Sequence, residues 1–165
     1  METKDFKKLL FKTAFCVMAC DGNIDDMEIQ EMKKIDSNTT YFSDTDLTEE
    51  LNNLINGLQD KNTKIVKGLF DSLRENKLTI TQELLILEIT MRIISADKII
   101  DENEVRFLNL IRSKLDLGDK IIHERFGKIP YLKNHNYDGA ELNQADFINE
   151  IEITDIKKIG KINLK

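Results

Sequence analysis

Six carboxylates raise the first chemical question. Asp21, Asp25 and Glu28 stand within the stretch CDGNIDDMEIQEM, and Asp97, Asp101 and Glu104 repeat their spacing 76 positions later in ADKIIDENEVRFL. Oxygen ligands gathered in a short turn suit hard cations such as calcium and magnesium. The same acids also suit two other tasks: capping the next helix and meeting a basic partner. The calcium-loop pattern D-x-[DN]-x-[DN]-G-x5-E provides a test. In that register Asp21 takes position 5, Gly22 position 6, Ile24 position 8, Asp25 position 9 and Glu28 position 12. Positions 1 and 3 are then Val17 and Ala19, which carry no side-chain oxygen. In the second stretch they are Ile93 and Ser95, and Lys98 replaces the glycine. Calcium takes about six to eight oxygens. A loop without both N-terminal carboxylates supplies too few, so neither stretch reads as a true EF-hand.

A helix-turn-helix explains most of the spelling. Gly22 ends one helix with positive φ, and Ile24 plugs the turn into the core. Asp25 caps the next helix, and Glu28, three residues on, closes a capping box, as Asp101 and Glu104 do in the second stretch. Asp21 and Asp97 are not explained this way, because an acid at the C-terminal end of a helix opposes its dipole. Local charge sharpens the point. Residues 21–31 carry Asp21, Asp25, Asp26, Glu28 and Glu31 with no Lys or Arg, and residues 97–104 carry Asp97, Asp101, Glu102 and Glu104 against Lys98 alone. Clustered carboxylates repel unless a cation relieves them. Three readings stay open: solvated caps, a weak divalent-cation site, and a docking surface for a basic partner.

Other reactive residues are few. Cys16 and Cys20 are too few for a disulfide framework and read as two small buried side chains on one helical face. The two histidines, His123 and His135, are not in ligand spacing. No phosphate loop, serine elbow, HExxH or Glu-x-x-His is present, so no enzyme is expected. A net charge of -6 argues against nucleic-acid binding, which needs clustered cations. No apolar run approaches the ~20 residues that span a membrane. Residues 7–20 resemble a lipoprotein signal only loosely, since Lys12 interrupts the apolar run. Glu2 and Asp5 also stand where a signal is basic. These residues read as the first helix.

Helical periodicity defines the segments that carry the turns. One stripe is Phe6, Leu9, Leu10, Thr13, Ala14 and Val17, and a second is Ile29, Met32 and Ile35. A third is Leu47, Leu51, Leu54, Ile55 and Leu58, and a fourth Ile65, Val66, Leu69, Phe70 and Leu73. Then come Leu84, Leu85, Ile89, Ile93 and Ile94, and finally Val105, Leu108, Ile111, Arg112 and Leu115. With a further box at Thr79 and Gln82, six helices are predicted between residues 3 and 116 and a short seventh over 120–126. Residues 130–139 read as loop and 140–149 as one more short helix. The end, IEITDIKKIGKINLK, alternates Ile with polar residues and suits a strand or hairpin that pairs with itself, docks on the helices, or joins a partner's sheet. Its lysines, Lys157, Lys158, Lys161 and Lys165, either face an anionic leaflet or simply solvate the end.

The 76-residue offset pairs Asp21 with Asp97, Ile24 with Ile100, Asp25 with Asp101, Glu28 with Glu104, Ile29 with Val105 and Ile35 with Ile111. Such self-similarity predicts a duplicated all-α domain of about six to eight helices with a pseudo-two-fold axis. The helical domain is assigned to residues 1–127 and a C-terminal extension, packed on it or used for a partner, to 128–165.

An apolar helix ending in A-x-D-G-x-I, then an acidic cap and a glutamate three later, present twice, resembles the tellurite-resistance TerB-like family. The residues are Ala19, Cys20, Asp21, Gly22, Asn23 and Ile24 with Asp25 and Glu28, and Ala96, Asp97, Lys98, Ile99 and Ile100 with Asp101 and Glu104. Cys20 stands where the family often has Ala, and Lys98 where it often has Gly. The resemblance implies an all-helical duplicated fold without catalytic activity. It implies a cytoplasmic module of a bacterial stress or metal-resistance system, some members acting at the inner membrane surface with integral membrane protein partners. A related domain is attached to a membrane-anchored co-chaperone. It also implies a divalent cation held by Asp21, Asp25 and Glu28, and by Asp97, Asp101 and Glu104.

Overall fold

The structure, a computed structural model, describes residues 1–19, 26–43, 45–59, 64–96 and 98–134. Among these residues seven helices make up the regular structure: α1 (Thr3–Ala19), α2 (Asp26–Asn38), α3 (Thr48–Gln59), α4 (Lys64–Glu75), α5 (Ile80–Ile94), α6 (Glu102–Ser113) and α7 (Asp119–Phe126). The all-α expectation holds, with no strand among the described residues. The readings of a helix over 140–149 and of a strand at the C-terminus fall outside them.

Helices α1 and α5 form the centre. The amino group of Met1 donates to the Lys77 carbonyl at 3.0 Å, and Gln82 Nε2 donates to the Met1 carbonyl at 2.9 Å. The two helices therefore start side by side. They share the largest helix-helix contact among the described residues and run parallel for about 22–25 Å. Their C-terminal ends consequently lie at the same end of the bundle.

Helix α2 returns along this pair. Arg92 meets Glu31, then the Tyr41 hydroxyl donates to Glu88 Oε2 at 2.7 Å, then Lys7 donates to the Ser43 carbonyl, each step closer to the N-terminal end of the pair. Helix α6 returns in the same sense until the Asp116 N–H reaches Glu83 Oε1 at 2.9 Å. Helices α3 and α4 pack together, α4 lying against α1 and α6. Its Phe70 ring sits 5.5 Å from that of Phe107.

The central helices are apolar almost all round, which single-face stripes understate. Phe11, Phe15, Cys16, Met18, Ile86 and Leu87 are as buried as the predicted core, whereas Leu84 and Leu85 are only half-buried. A helix ringed by neighbours has no solvent face to alternate with. Burial pushes the Cys16 thiol up to about 12, which makes it an inert core residue. The Lys12 ammonium lies over α4, 3.3 Å from where a side chain on Gly68 would begin. Gly68 thus lets a lysine leave an otherwise buried stretch of α1.

Beyond α7 the chain reverses at Gly127, whose φ is 75°. It turns again at Pro130, where the Leu132 N–H donates to the Ile129 carbonyl at 3.2 Å. Ile129, Tyr131 and Leu132 pack on the core, so the packed body runs past residue 127 to at least Leu132.

Candidate functional site

The second acidic turn shows how its residues are used. Helix α5 ends with the Ala96 N–H donating to the Ile93 carbonyl and the Lys98 N–H to the Ser95 carbonyl, both at 3.1 Å. Lys98 has φ 64° and is the only non-glycine with positive φ among the described residues. The glycine geometry expected at Gly22 is thus adopted here without a glycine. Asp101 then caps α6: its Oδ1 accepts from the Glu104 N–H at 2.8 Å, and Glu104 Oε2 accepts from the Asp101 N–H at 3.0 Å. The capping box expected from the sequence is complete, as is that of Thr79 and Gln82.

Of the six sequence candidates, Asp21, Asp25 and Asp97 lie outside the described residues. Glu28 and Glu104, paired by the 76-residue offset, are each 3% exposed. Both therefore face inward at the first turn of their helices. Among the described residues no group of three or more His, Cys, Asp or Glu is arranged to hold a metal ion. The calcium-loop positions without oxygen, Val17, Ala19 and Ile93, are core residues at most 2% exposed.

The local charge count changes once the helices assemble. Arg92 donates from Nε to Glu31 Oε1 at 3.0 Å, with Nη2 also 3.0 Å from that oxygen. An acid in a run without cations thus takes its countercharge from α5, one turn before the second acidic turn. The parallel pairing of α1 and α5 brings the helix ends flanking residues 20–25 and those flanking residue 97 to one end of the molecule.

A second polar constellation lies toward the opposite end, and no sequence motif marks it. Arg112, 1% exposed, donates from Nη2 to Asp119 Oδ1 at 3.0 Å, while its Nε has no hydrogen-bond partner among the described residues. Glu83 accepts from the Asp116 N–H, and burial pushes its carboxyl up from the ordinary range, more than that bond lowers it. Asn109, 1% exposed, donates to the Tyr131 carbonyl at 3.0 Å and accepts from the Lys133 N–H at 2.8 Å. Its amide holds the chain as a neighbouring peptide unit would. A buried amide or guanidinium is costly unless bonded, so these residues fix what they touch. Glu88 joins Tyr41 to Arg125, accepting from Arg125 Nη2 at 3.2 Å. Burial first and this carboxylate second push the Tyr41 hydroxyl up to about 12.

The signal available in the sequence was polarity inside an apolar run. Asn109 interrupts Phe107, Leu108, Leu110 and Ile111, and Arg112 falls in the predicted stripe itself. No protein-family model, curated protein or solved structure matches this chain.

Proposed function

We propose that the chain is a non-enzymatic helical interaction module, TerB-like in kind, whose working end is the one where α1 passes to α2 and α5 to α6. Its ligand is a divalent cation held by Asp21, Asp25 and Glu28, with Asp97, Asp101 and Glu104 as the related set. Its partner is a protein with a basic surface, an integral membrane protein of a bacterial stress or metal-resistance system being the kind the resemblance implies. The observation that carries the reading is the parallel pairing of α1 and α5, which share the largest helix-helix contact among the described residues and start side by side at the Met1 bonds to Lys77 and Gln82. It gathers acids from two distant stretches toward one end, where their fields add.

One observation favours a version without metal. Asp101 and Glu104 already satisfy each other's backbone N–H groups, and such a pair needs no ion to persist. The end then serves as an acidic docking surface alone.

Thermal unfolding in Ca2+, Mg2+, Mn2+ and Zn2+, beside the double variant Asp21→Asn, Asp97→Asn, tests the reading. An ion that binds only the folded state raises the midpoint with concentration, the added stability reaching about 2.7 kcal/mol at a hundredfold excess over Kd. A rise lost in the double variant supports the cation site. No rise at millimolar ion, with a salt-sensitive shift by a lysine-rich peptide, supports the docking surface. Absence of both responses sinks the proposal.

A further inference from the structure

A cationic face and an acidic stretch of sequence remain without a role. The face lies where α4 packs against α6. Lys67 and Arg74 of α4 share one carboxylate, Asp71, at 3.5 and 3.1 Å. Lys114 closes α6 as its C-cap and stands close enough to Arg74 to feel its charge. The stretch is residues 134–156, all but the first outside the described residues. It carries six acids, Asp138, Glu141, Asp146, Glu150, Glu152 and Asp155, and no Lys or Arg. We infer that these acids dock on the α4–α6 face of their own chain, where Lys67, Arg74 and Lys114 receive them.

Three observations carry this. First, the helices gather the cations. Lys77, just beyond α4, meets Met1 at the start of α1, and Asp116, just beyond α6, meets Glu83 in the first turn of α5. Helices α1 and α5 start side by side, so α4 and α6 finish at the same end of the bundle. Arg74, in the last turn of α4, is thereby brought toward Lys114. Second, the face is short of anions. Among the described residues Asp71 is the one carboxylate within ion-pair distance of any of the three cations. Burial first and Arg74 second hold the Lys114 ammonium below its ordinary value of 10.5, more than Asp71 raises it. A cation at a helix C-terminus suits the dipole. That accounts for Arg74 and Lys114 singly, but not for their crowding with Lys67. Further anions relieve such crowding. Third, the stretch starts within reach. The Lys133 N–H is bonded to Asn109 Oδ1 at 2.8 Å, and Lys114 lies five residues, about 7.5 Å, further along the same helix. Asp138 follows Lys133 by five residues, which extend to about 17 Å. A tethered stretch also meets the face at high effective concentration, which a second copy in solution does not match. The face and the stretch are separate from the acidic turns, so neither reading depends on the other.

The test is carbodiimide cross-linking of the full chain, which condenses a carboxylate with a touching lysine amine, read by mass spectrometry. An equal mixture of natural and nitrogen-15-labelled chains separates bonds within a chain from bonds between chains. We expect Lys67 and Lys114 to be joined to acids of residues 138–155 within one chain. The yield should fall roughly fivefold at about 1 M salt, where the screening length is about 3 Å. It should also fall in Arg74→Gln, which keeps both reporter lysines, and in the triple variant Glu150→Gln, Glu152→Gln, Asp155→Asn, which leaves the helical body unaltered in sequence. Each variant's melting curve shows that it is folded. Absence of these bonds, a yield no higher than at the exposed Lys33 and Lys34 of α2, or indifference to salt would each overturn the assignment. Bonds found only between chains would overturn it as well, making a second copy the occupant.

Discussion

Helices α2 and α6 align in sequence at the 76-residue offset, and each packs along α5. Three aligned pairs are used alike: Glu28 and Glu104 are each 3% exposed, and Met32 with Leu108 and Ile35 with Ile111 are fully buried. The pairs between and beyond them part. Lys33 and Lys34 of α2 are exposed, whereas their partners Asn109 and Leu110 are each 1% exposed, as is Arg112 opposite half-buried Asp36. The cause lies in the course of the chain after each helix. It leaves α2 for α3, but after α6 it doubles back as α7 and residues 127–134 and covers α6. Two stretches of similar sequence therefore lead into helices of different rank: α2 is a surface helix, and α6 is a core helix whose polar residues must be bonded.

The largest effects should fall on the covered helix. Leu110→Ala removes a buried side chain and should cost about 2–5 kcal/mol, whereas Lys34→Ala should stay within about 0.5 kcal/mol. Urea unfolding measures both. Equal losses would mean that α6 is no more central than α2. Arg112→Ala should cost about 1.5–3 kcal/mol, the scale of a hydrogen bond to a charged group, since half-exposed Asp119 is not left as a buried charge, and it should expose the α7 amides to hydrogen exchange. Asn109→Ala comes next, at about 1–3 kcal/mol, because it leaves the Tyr131 carbonyl and the Lys133 N–H without the Asn109 amide. Faster exchange confined to the amide of Lys133 and its neighbours would show that Asn109 acts through the returning chain. Lys33→Ala, its counterpart, should do little.

The turns themselves offer a smaller contrast. The left-handed region costs a non-glycine residue about 1–2 kcal/mol, and Lys98 occupies it at φ 64°. Lys98→Gly should therefore stabilise the fold by a few tenths to about 1 kcal/mol, after the entropy that glycine adds to the unfolded chain. Lys98→Ala should give no such gain. If alanine stabilises as well as glycine, the benefit comes from removing the charge and not from the backbone.

The helices and two of the capping boxes were legible because periodicity and caps are local. Asp101 with Glu104 and Thr79 with Gln82 need nothing beyond their own few residues. The core of α1 and α5 was under-read because burial on every side erases the alternation that a stripe depends on. The countercharge of Glu31 was illegible for a different reason, since Arg92 is 61 residues away and only the folding of α2 onto α5 joins them. The parallel start of α1 and α5, which brings the two turns to one end, likewise rests on contacts of Met1 with Lys77 and Gln82 that no local pattern announces. The fastening of α7 and of residues 131–133 depends on Arg112 and Asn109, whose meaning appears only when the chain comes back over them.

One last pair of positions 76 residues apart carries opposite charges for one task. Lys7 on α1 donates to the Ser43 carbonyl, beyond α2, and Glu83 on α5, 76 residues later, accepts from the Asp116 N–H, beyond α6. Each fastens the chain that leaves the second helix of its pair, but burial raises the pKa of Glu83 above its ordinary value of 4.5. Below that ordinary value both the folded and unfolded chains hold the proton, and the contribution of Glu83 to stability is fully present. As pH rises through 4.5 the unfolded chain releases its proton first. Stability then falls until the pH passes the raised folded value, where the loss ends. Glu83→Gln keeps an acceptor for the Asp116 N–H but has no proton to release. Urea midpoints measured across this window should decline less steeply in the variant than in the native chain, a change of slope smaller than the effects above. Equal slopes would mean that Glu83 fastens its segment of chain as an ordinary exposed acid would, and the contrast with Lys7 would reduce to a difference of sign.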